Sequence, residues 1–299
     1  MGASGRHHER LYDHHQGCEL RLLVAALLLS LSTAGAAEFP QHLIVCADPN
    51  NLPFSNRARQ GFENKIIDLV AKDLGAHVSY VWWAQRRGYV RSTLGEAKCD
   101  IWPGVATGVA RVVTTRPYYR STYVFVTRAD APLDHLTLDD PRLKGVSIGV
   151  QMIGNNAVNT PPAHAIASRG MIDNVRGYMV YGDYSRPNPP STIVTAVAKN
   201  EIDVALVWGP LAGYFAHCST IPLRIDAVTP AADPRWPMVF DISMGVRRSD
   251  RALIEQLNAV LERENPAIKV ILKAYHVPLE TQFSPGRRPT PGLLAPIVR

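Results

Sequence analysis

Apolar positions follow two rhythms along the 299 residues, and the same sequence of rhythms occurs twice. Leu43, Ile44 and Val45 form a short strand-like run. Phe62, Ile66, Ile67, Leu69, Val70 and Leu74 then recur at helical spacing as far as Gly75, a helix stop. His77 to Trp82 alternates as a strand does. "GYVRSTLGEA" carries a short helical pattern, and "CDIWPGV" is a third strand ending in Pro and Gly. Strand, helix, strand, helix, strand at this spacing predicts parallel pairing through right-handed crossovers. The second round has "GVSIGVQ" as a strand, "PPSTIVTAVAKN" as a helix capped by Ser191, and "EIDVALVWG" as a strand ending at Gly209.

Two extended segments rich in β-branched and aromatic residues, "TYVFVT" and "MVFDISMGVRR", separate and follow the rounds. Two helices close the pattern, one capped by Ser249 and the other starting at Asn265-Pro266. The prediction is an α/β chain of two lobes, each an open, mostly parallel sheet, joined by two extended hinge crossovers. Residues 38–120 with 242–280 make one lobe and 121–241 the other. Residues 281–299 form a Pro/Gly-rich tail. Closure about such crossovers is one way to engulf a ligand.

The first strand runs into "ADPNNLPFSN", where Pro49 and Pro53 bar any regular element. Ligands of open α/β sheets sit beyond the carboxyl ends of strands, so this loop is a candidate binding mouth. Phe54 is either its aromatic wall or one packed ring in a polar turn, and Asp48 and Asn50 are its polar groups.

The leader changes the compartment. Arg21 precedes "LLVAALLLSL", too short to anchor stably across a bilayer, and "STAGAA" offers cleavage near Ala36 or Ala37. Residues 1–37 are read as a secretory signal peptide, leaving no stable membrane anchor. The net charge is +6, and removing Arg6, Arg10 and Arg21 with Glu9, Asp13 and Glu19 leaves it unchanged. That is too small and scattered for nucleic acid. Three cysteines remain after cleavage: Cys46, Cys99 and Cys218. Cys46 with Cys99 is the favoured disulfide, although a stagger of about three residues on neighbouring strands implies about 10 Å, beyond comfortable reach. Gly-Lys phosphate loops, H-E-x-x-H and Cys-x-x-Cys are all missing, and His164, His217 and His276 are isolated along the chain. The expectation is no enzyme, no catalytic residue and no metal site.

"GFENKIIDLVAKDLG", "LKGVSIGVQ" and "NEIDVALVWG" resemble the solute-binding proteins of ABC transporters, the type II periplasmic-binding-protein fold, from Leu43 to about Pro278. "CADPNNLPFSN", "GFENKI", "WWAQRRGYVRSTL", "TTRPYYRSTYVFV" and "VWGPLAGYF", in that order, resemble the methanol-oxidation J protein (MoxJ/XoxJ) branch. The resemblance implies a periplasmic accessory of a PQQ-dependent methanol or alcohol dehydrogenase. That dehydrogenase would be the partner, with its cytochrome c a further candidate, and PQQ and metal would sit on it and not on this chain.

Amino-acid binders of the class hold the ligand carboxylate with an Arg in Thr-x-x-Arg. Here "GVAR" places Gly108 in the Thr position, with Thr107 one residue earlier, so Arg111 is either an anion clamp or a solvated charge. Where an ammonium-binding Asp is expected, the chain has Trp208. An unpartnered buried ammonium costs several kcal/mol, which disfavours ordinary amino acids. Phe54, Trp83, Tyr118, Tyr119 and Trp208, with Asp48, Asn50, Asn155 and Asn156, are the candidate lining of an aromatic cleft for a small organic ligand or an inserted partner side chain. Arg87, among "WWAQRRGYVR", is a candidate grip for an acidic protein surface.

Overall fold

The computed structural model describes residues 41–153, 159–180, 184–231, 233 and 235–280. The leader, the tail, Asn155 and Asn156 lie outside them. In the first part of the chain, β1 (His42–Ala47) leads through the small hairpin β2 (Asn50–Asn51) and β3 (Ser55–Asn56) into helix α1 (Phe62–Leu74). Then come β4 (His77–Trp82), the four-residue α2 (Tyr89–Ser92), β5 (Ile101–Ala106) and β6 (Val113–Thr114). The long strand β7 (Tyr119–Arg128) leads to β8 (Ile148–Met152), α3 (Pro161–Ser168), β9 (Val175–Met179), α4 (Thr192–Ala198) and β10 (Val204–Trp208). Helix α5 (Gly209–His217) and β11 (Leu223–Ala227) follow. The return strand β12 (Val239–Val246) precedes α6 (Arg251–Arg263) and α7 (Asn265–Ala274).

β1 lies parallel to β4 and β5, and β8 lies parallel to β9 and β10. These are the two parallel groups the alternation predicts, joined by the extended strands β7 and β12. The crossovers also pair with each other, Val239 to Ile242 running antiparallel against Thr122 to Tyr119. One strand path therefore runs β4-β1-β5-β12-β7-β10-β8-β9, with β6 on β12 and β11 on β7. β7 serves both groups: its start faces β12, and Tyr123 to Thr127 face Trp208 to Val204 of β10.

One apolar core gathers Leu43, Val45, Phe62, Ile66, Ile67 and Val70 with Met244, Leu257, Ile268 and Leu272 from the far end of the chain. Two further cores draw on residues 124–238, one around Phe125, Leu143, Ile148 and Leu206, the other around Val126, Val194, Val197 and Val207. Two helix starts differ from expectation. No side-chain hydrogen bond from Ser191 caps α4, which is preceded by a tight turn at Pro189–Ser191, and α6 starts after Asp250, toward which Ser249 turns its hydroxyl.

Cys46 and Cys99 form a disulfide with their Cα atoms 5.6 Å apart. The distance of about 10 Å inferred from a straight strand fails because β5 starts only at Ile101. Before it the chain bends, with Asp100 taking the Ile44 N–H on its carboxylate and giving its own N–H to the Ile44 carbonyl. That bend carries Cys99 back beside Cys46.

Candidate functional site

The loop after β1 and the start of α1 form one hydrogen-bonded unit. The first N–H groups of a helix lack intrahelical acceptors. Here Phe62 donates to the Pro53 carbonyl at 2.8 Å and Glu63 donates to the Phe54 carbonyl at 3.0 Å. A Cβ on Gly61 would overlap the Phe54 carbonyl, so only glycine permits this approach. Phe54 is thereby fixed against Phe62, ring centroids 5.4 Å apart.

Above this unit lies a cavity of about 220 Å³ between the two parallel groups. Its walls are aromatic: Phe54 from the loop, Trp102 from β5, Tyr119 and Tyr123 from β7, Trp208 from the end of β10 and Phe240 from β12. Trp208 packs edge-on to Tyr123 at 5.2 Å and to Phe240 at 6.0 Å. Its backbone N–H is held by Gln151 Oε1 at 2.9 Å. A neighbouring cavity of about 170 Å³ shares Phe54, Tyr123 and Trp208 and adds Asp48, Gln151 and Tyr184.

Two buried carboxyls stand here in opposite circumstances. Asp48 accepts from the N–H of Asn50 at 2.9 Å, from the N–H of Gln85 at 2.7 Å, and from the Tyr184 hydroxyl. Burial still raises its pKa against those donors. Glu63 lines the larger cavity, is 6% exposed, and accepts no hydrogen bond and joins no ion pair among the described residues. Gly104 of β5 makes room for it, since a Cβ there would overlap the Glu63 carboxyl. Burial first, and the nearby Asp48 charge second, push its pKa up to about 8.

Of the residues singled out from sequence, Asp48, Phe54, Tyr119 and Trp208 meet around these cavities. Asn50 sits at their rim rather than in them: its side-chain amide donates to the Arg186 carbonyl at 2.9 Å and accepts from the Asn188 N–H at 3.1 Å. Tyr118 is core, not cleft. Adjacent residues of an extended chain point to opposite faces, and its hydroxyl donates to the Pro103 carbonyl at 2.9 Å. Trp83 lies past the end of β4, 42% exposed, with Lys98 Nζ 4.8 Å above its ring. Arg87 is exposed in the turn before α2, whose Tyr89 and Val90 take the buried side. Arg111 is exposed at positive φ and lines neither cavity, while Thr107 is engaged by Ser243 Oγ at 2.7 Å. Asn155 and Asn156 fall outside the described residues.

Glu63, Trp102, Tyr123 and Phe240 were missed. A buried glycine inside a strand signals close approach, and Gly104 was the available clue to Glu63. Among the described residues no cluster of three or more His, Cys, Asp or Glu side chains could hold a metal, and no helix is long and apolar enough to cross a membrane.

Residues 43–276 match the model of the bacterial extracellular solute-binding proteins, family 3. Protein MoxJ of Methylorubrum extorquens strain AM1 is 36% identical over 253 residues, 79% of this chain and 81% of that protein. Protein MoxJ of Paracoccus denitrificans is 28% identical over 288 residues, 90% of this chain and 98% of that protein. The crystal structure of the periplasmic binding protein XoxJ from Methylobacterium extorquens AM1 superposes with a TM-score of 0.66 at 35% identity, covering 80% of this chain and all of that one.

Proposed function

From the premise that this chain belongs to the bacterial extracellular solute-binding proteins of family 3, in the MoxJ/XoxJ branch, we propose that it is an exported, non-catalytic accessory of a PQQ-dependent methanol or alcohol dehydrogenase. The likeness to MoxJ along most of both chains is the observation that carries this reading. The protein acts by binding the dehydrogenase during activation, maturation or cofactor loading. PQQ and its metal belong to the dehydrogenase, whose cytochrome c is a further candidate contact. Residues 1–37 direct export to the periplasm and are removed.

Two features support the reading. The cavity lacks the carboxylate clamp of an amino-acid receptor, since Arg111 stands away from it. The loop after β4 meanwhile exposes Trp83, Arg86 and Arg87 together, and Trp and Arg are the residue types most often found at interface hot spots. A second reading, a receptor handing a small solute to a permease, is favoured by the cavity itself.

The test is turnover of the cognate quinoprotein dehydrogenase while mature protein is titrated in, with a binding isotherm in parallel. Saturable binding that weakens on replacing Trp83 and Arg87 with alanine supports the accessory role. Absence of binding to both the apo and the PQQ-loaded dehydrogenase rejects it.

A further inference from the structure

The larger cavity combines three properties that together define a ligand. It is small, about 220 Å³, where a cavity of roughly 150 Å³ accepts benzene. Its walls are aromatic rings, Phe54, Trp102, Tyr119, Tyr123, Trp208 and Phe240, which carry negative potential on their faces. And it contains one carboxyl, Glu63, with no donor and no cation beside it among the described residues. A buried carboxyl kept without a partner is costly, and such groups ordinarily find one. We infer that the Glu63 cavity binds a small organic cation of the alkylated-ammonium class, one that carries no carboxylate of its own.

Each property excludes other ligands. Aromatic rings attract a cation through their quadrupoles, and such cages recognise methylated ammonium groups. Glu63 supplies the counter-charge, so a neutral molecule of the same shape gains less from the site. An α-amino acid or a betaine would bring its carboxylate toward Glu63 and Asp48 with no arginine to receive it, because Arg111 is exposed elsewhere. Gly104 appears in this light as the residue that opens the slot for the counter-charge.

Binding is coupled to one proton. The titratable groups that sense Glu63 are Asp48 in the loop, Tyr89 on α2, and Tyr118 and Tyr119 around the start of β7, all of them acids. Among the described residues no base faces it, so without a bound cation the carboxyl stays protonated near neutrality. An entering cation favours the carboxylate, and the displaced proton passes to solvent.

The inference stands apart from the dehydrogenase reading, and its test uses the mature protein alone. Choline, its neutral carbon isostere 3,3-dimethylbutan-1-ol, and glycine betaine are titrated calorimetrically at pH 6, 7 and 8. Choline should bind at least tenfold more tightly than either comparator. Its affinity should rise about 50-fold from pH 6 to 8, the increase in ionised carboxyl for a pKa of about 8. Glu63→Gln should remove both the preference and the pH dependence while circular dichroism shows the fold intact. Trp208→Leu, which keeps the carboxyl, should weaken choline more than the isostere. Equal binding of choline and isostere, no choline binding at 10 mM or so, or a preference that survives Glu63→Gln overturns the proposal.

Discussion

Replacing Glu63 by glutamine should make the protein more stable, by an amount that depends on pH in a defined way. The carboxyl normally titrates near 4.5, and in the folded chain it titrates near 8. Between those values the folded state keeps a proton that the unfolded state has released, so stability falls as pH rises. At about 1.4 kcal/mol per pH unit, a delay of about 3.5 pH units amounts to about 5 kcal/mol above pH 9, and to about 4 kcal/mol at pH 7.5. Below pH 4.5 both states are protonated and the loss vanishes. Glutamine has the same shape, fills the slot left by Gly104 and never ionises. Urea denaturation of both proteins at pH 4.5, 6, 7.5 and 9 should therefore give a stability difference growing from near zero to several kcal/mol in favour of the variant. Carboxylates held below their usual range by arginines, such as Asp73 by Arg263, titrate alike in both proteins and cancel in the difference. Against a typical total of about 5–15 kcal/mol, the effect is large enough to measure plainly. A difference that stays flat across pH, or a variant less stable at pH 9, would refute the reasoning.

Two further expectations are independent of that carboxyl. Reducing the Cys46–Cys99 bond releases a loop of 53 residues, for which the loop-entropy model gives about 4 kcal/mol of lost stability; urea midpoints with and without reductant measure it, and an unchanged midpoint counts against a structural role. Gly104→Ala should destabilise by about 1–3 kcal/mol as its methyl forces the carboxyl aside, and Glu63→Ala in the same chain should restore most of that loss. Additive losses in the double variant would show that the two positions do not compete for one space.

The architecture was legible because strand and helix periods differ and because each round of the pattern ends at prolines or glycines. Phe54 and Trp208 were legible for the same reason: Phe54 follows a strand and Trp208 ends one, at points where the strand cannot continue. Tyr118 and Tyr119 could not both face one cavity, and strand alternation selects Tyr119. Glu63 was hidden by its position. An acidic residue in the first turn of a helix reads as a solvent-facing complement to the helix dipole. Its burial depends on Gly104, some forty residues away, and on the loop carbonyls that seat α1. The disulfide distance was misjudged because a bend at Asp100 has no signature in hydrophobic spacing. Trp102, Tyr123 and Phe240 lie inside β5, β7 and β12, where a sequence pattern gives burial but not the face that a curled sheet turns inward.

The shared strand β7 also sets an order of assembly. Residues 124–238 contain, without interruption, both cores of the second half. The first half is different: the core around Phe62 and Ile66 stays open until Met244, Leu257, Ile268 and Leu272 arrive from the end of the chain. A chain emerging in sequence order thus presents its incomplete half first and its self-sufficient half second. Contacts distant in sequence form late, because the loops that close them cost more entropy. The part of the protein synthesised first is therefore expected to finish folding last, and pulse-labelled hydrogen exchange should protect β8 and β10 before β1 and β4. Until then the apolar side of α1 is covered only in part, by Leu43, Val45 and Ile101, which makes the early half the natural client of any holding factor.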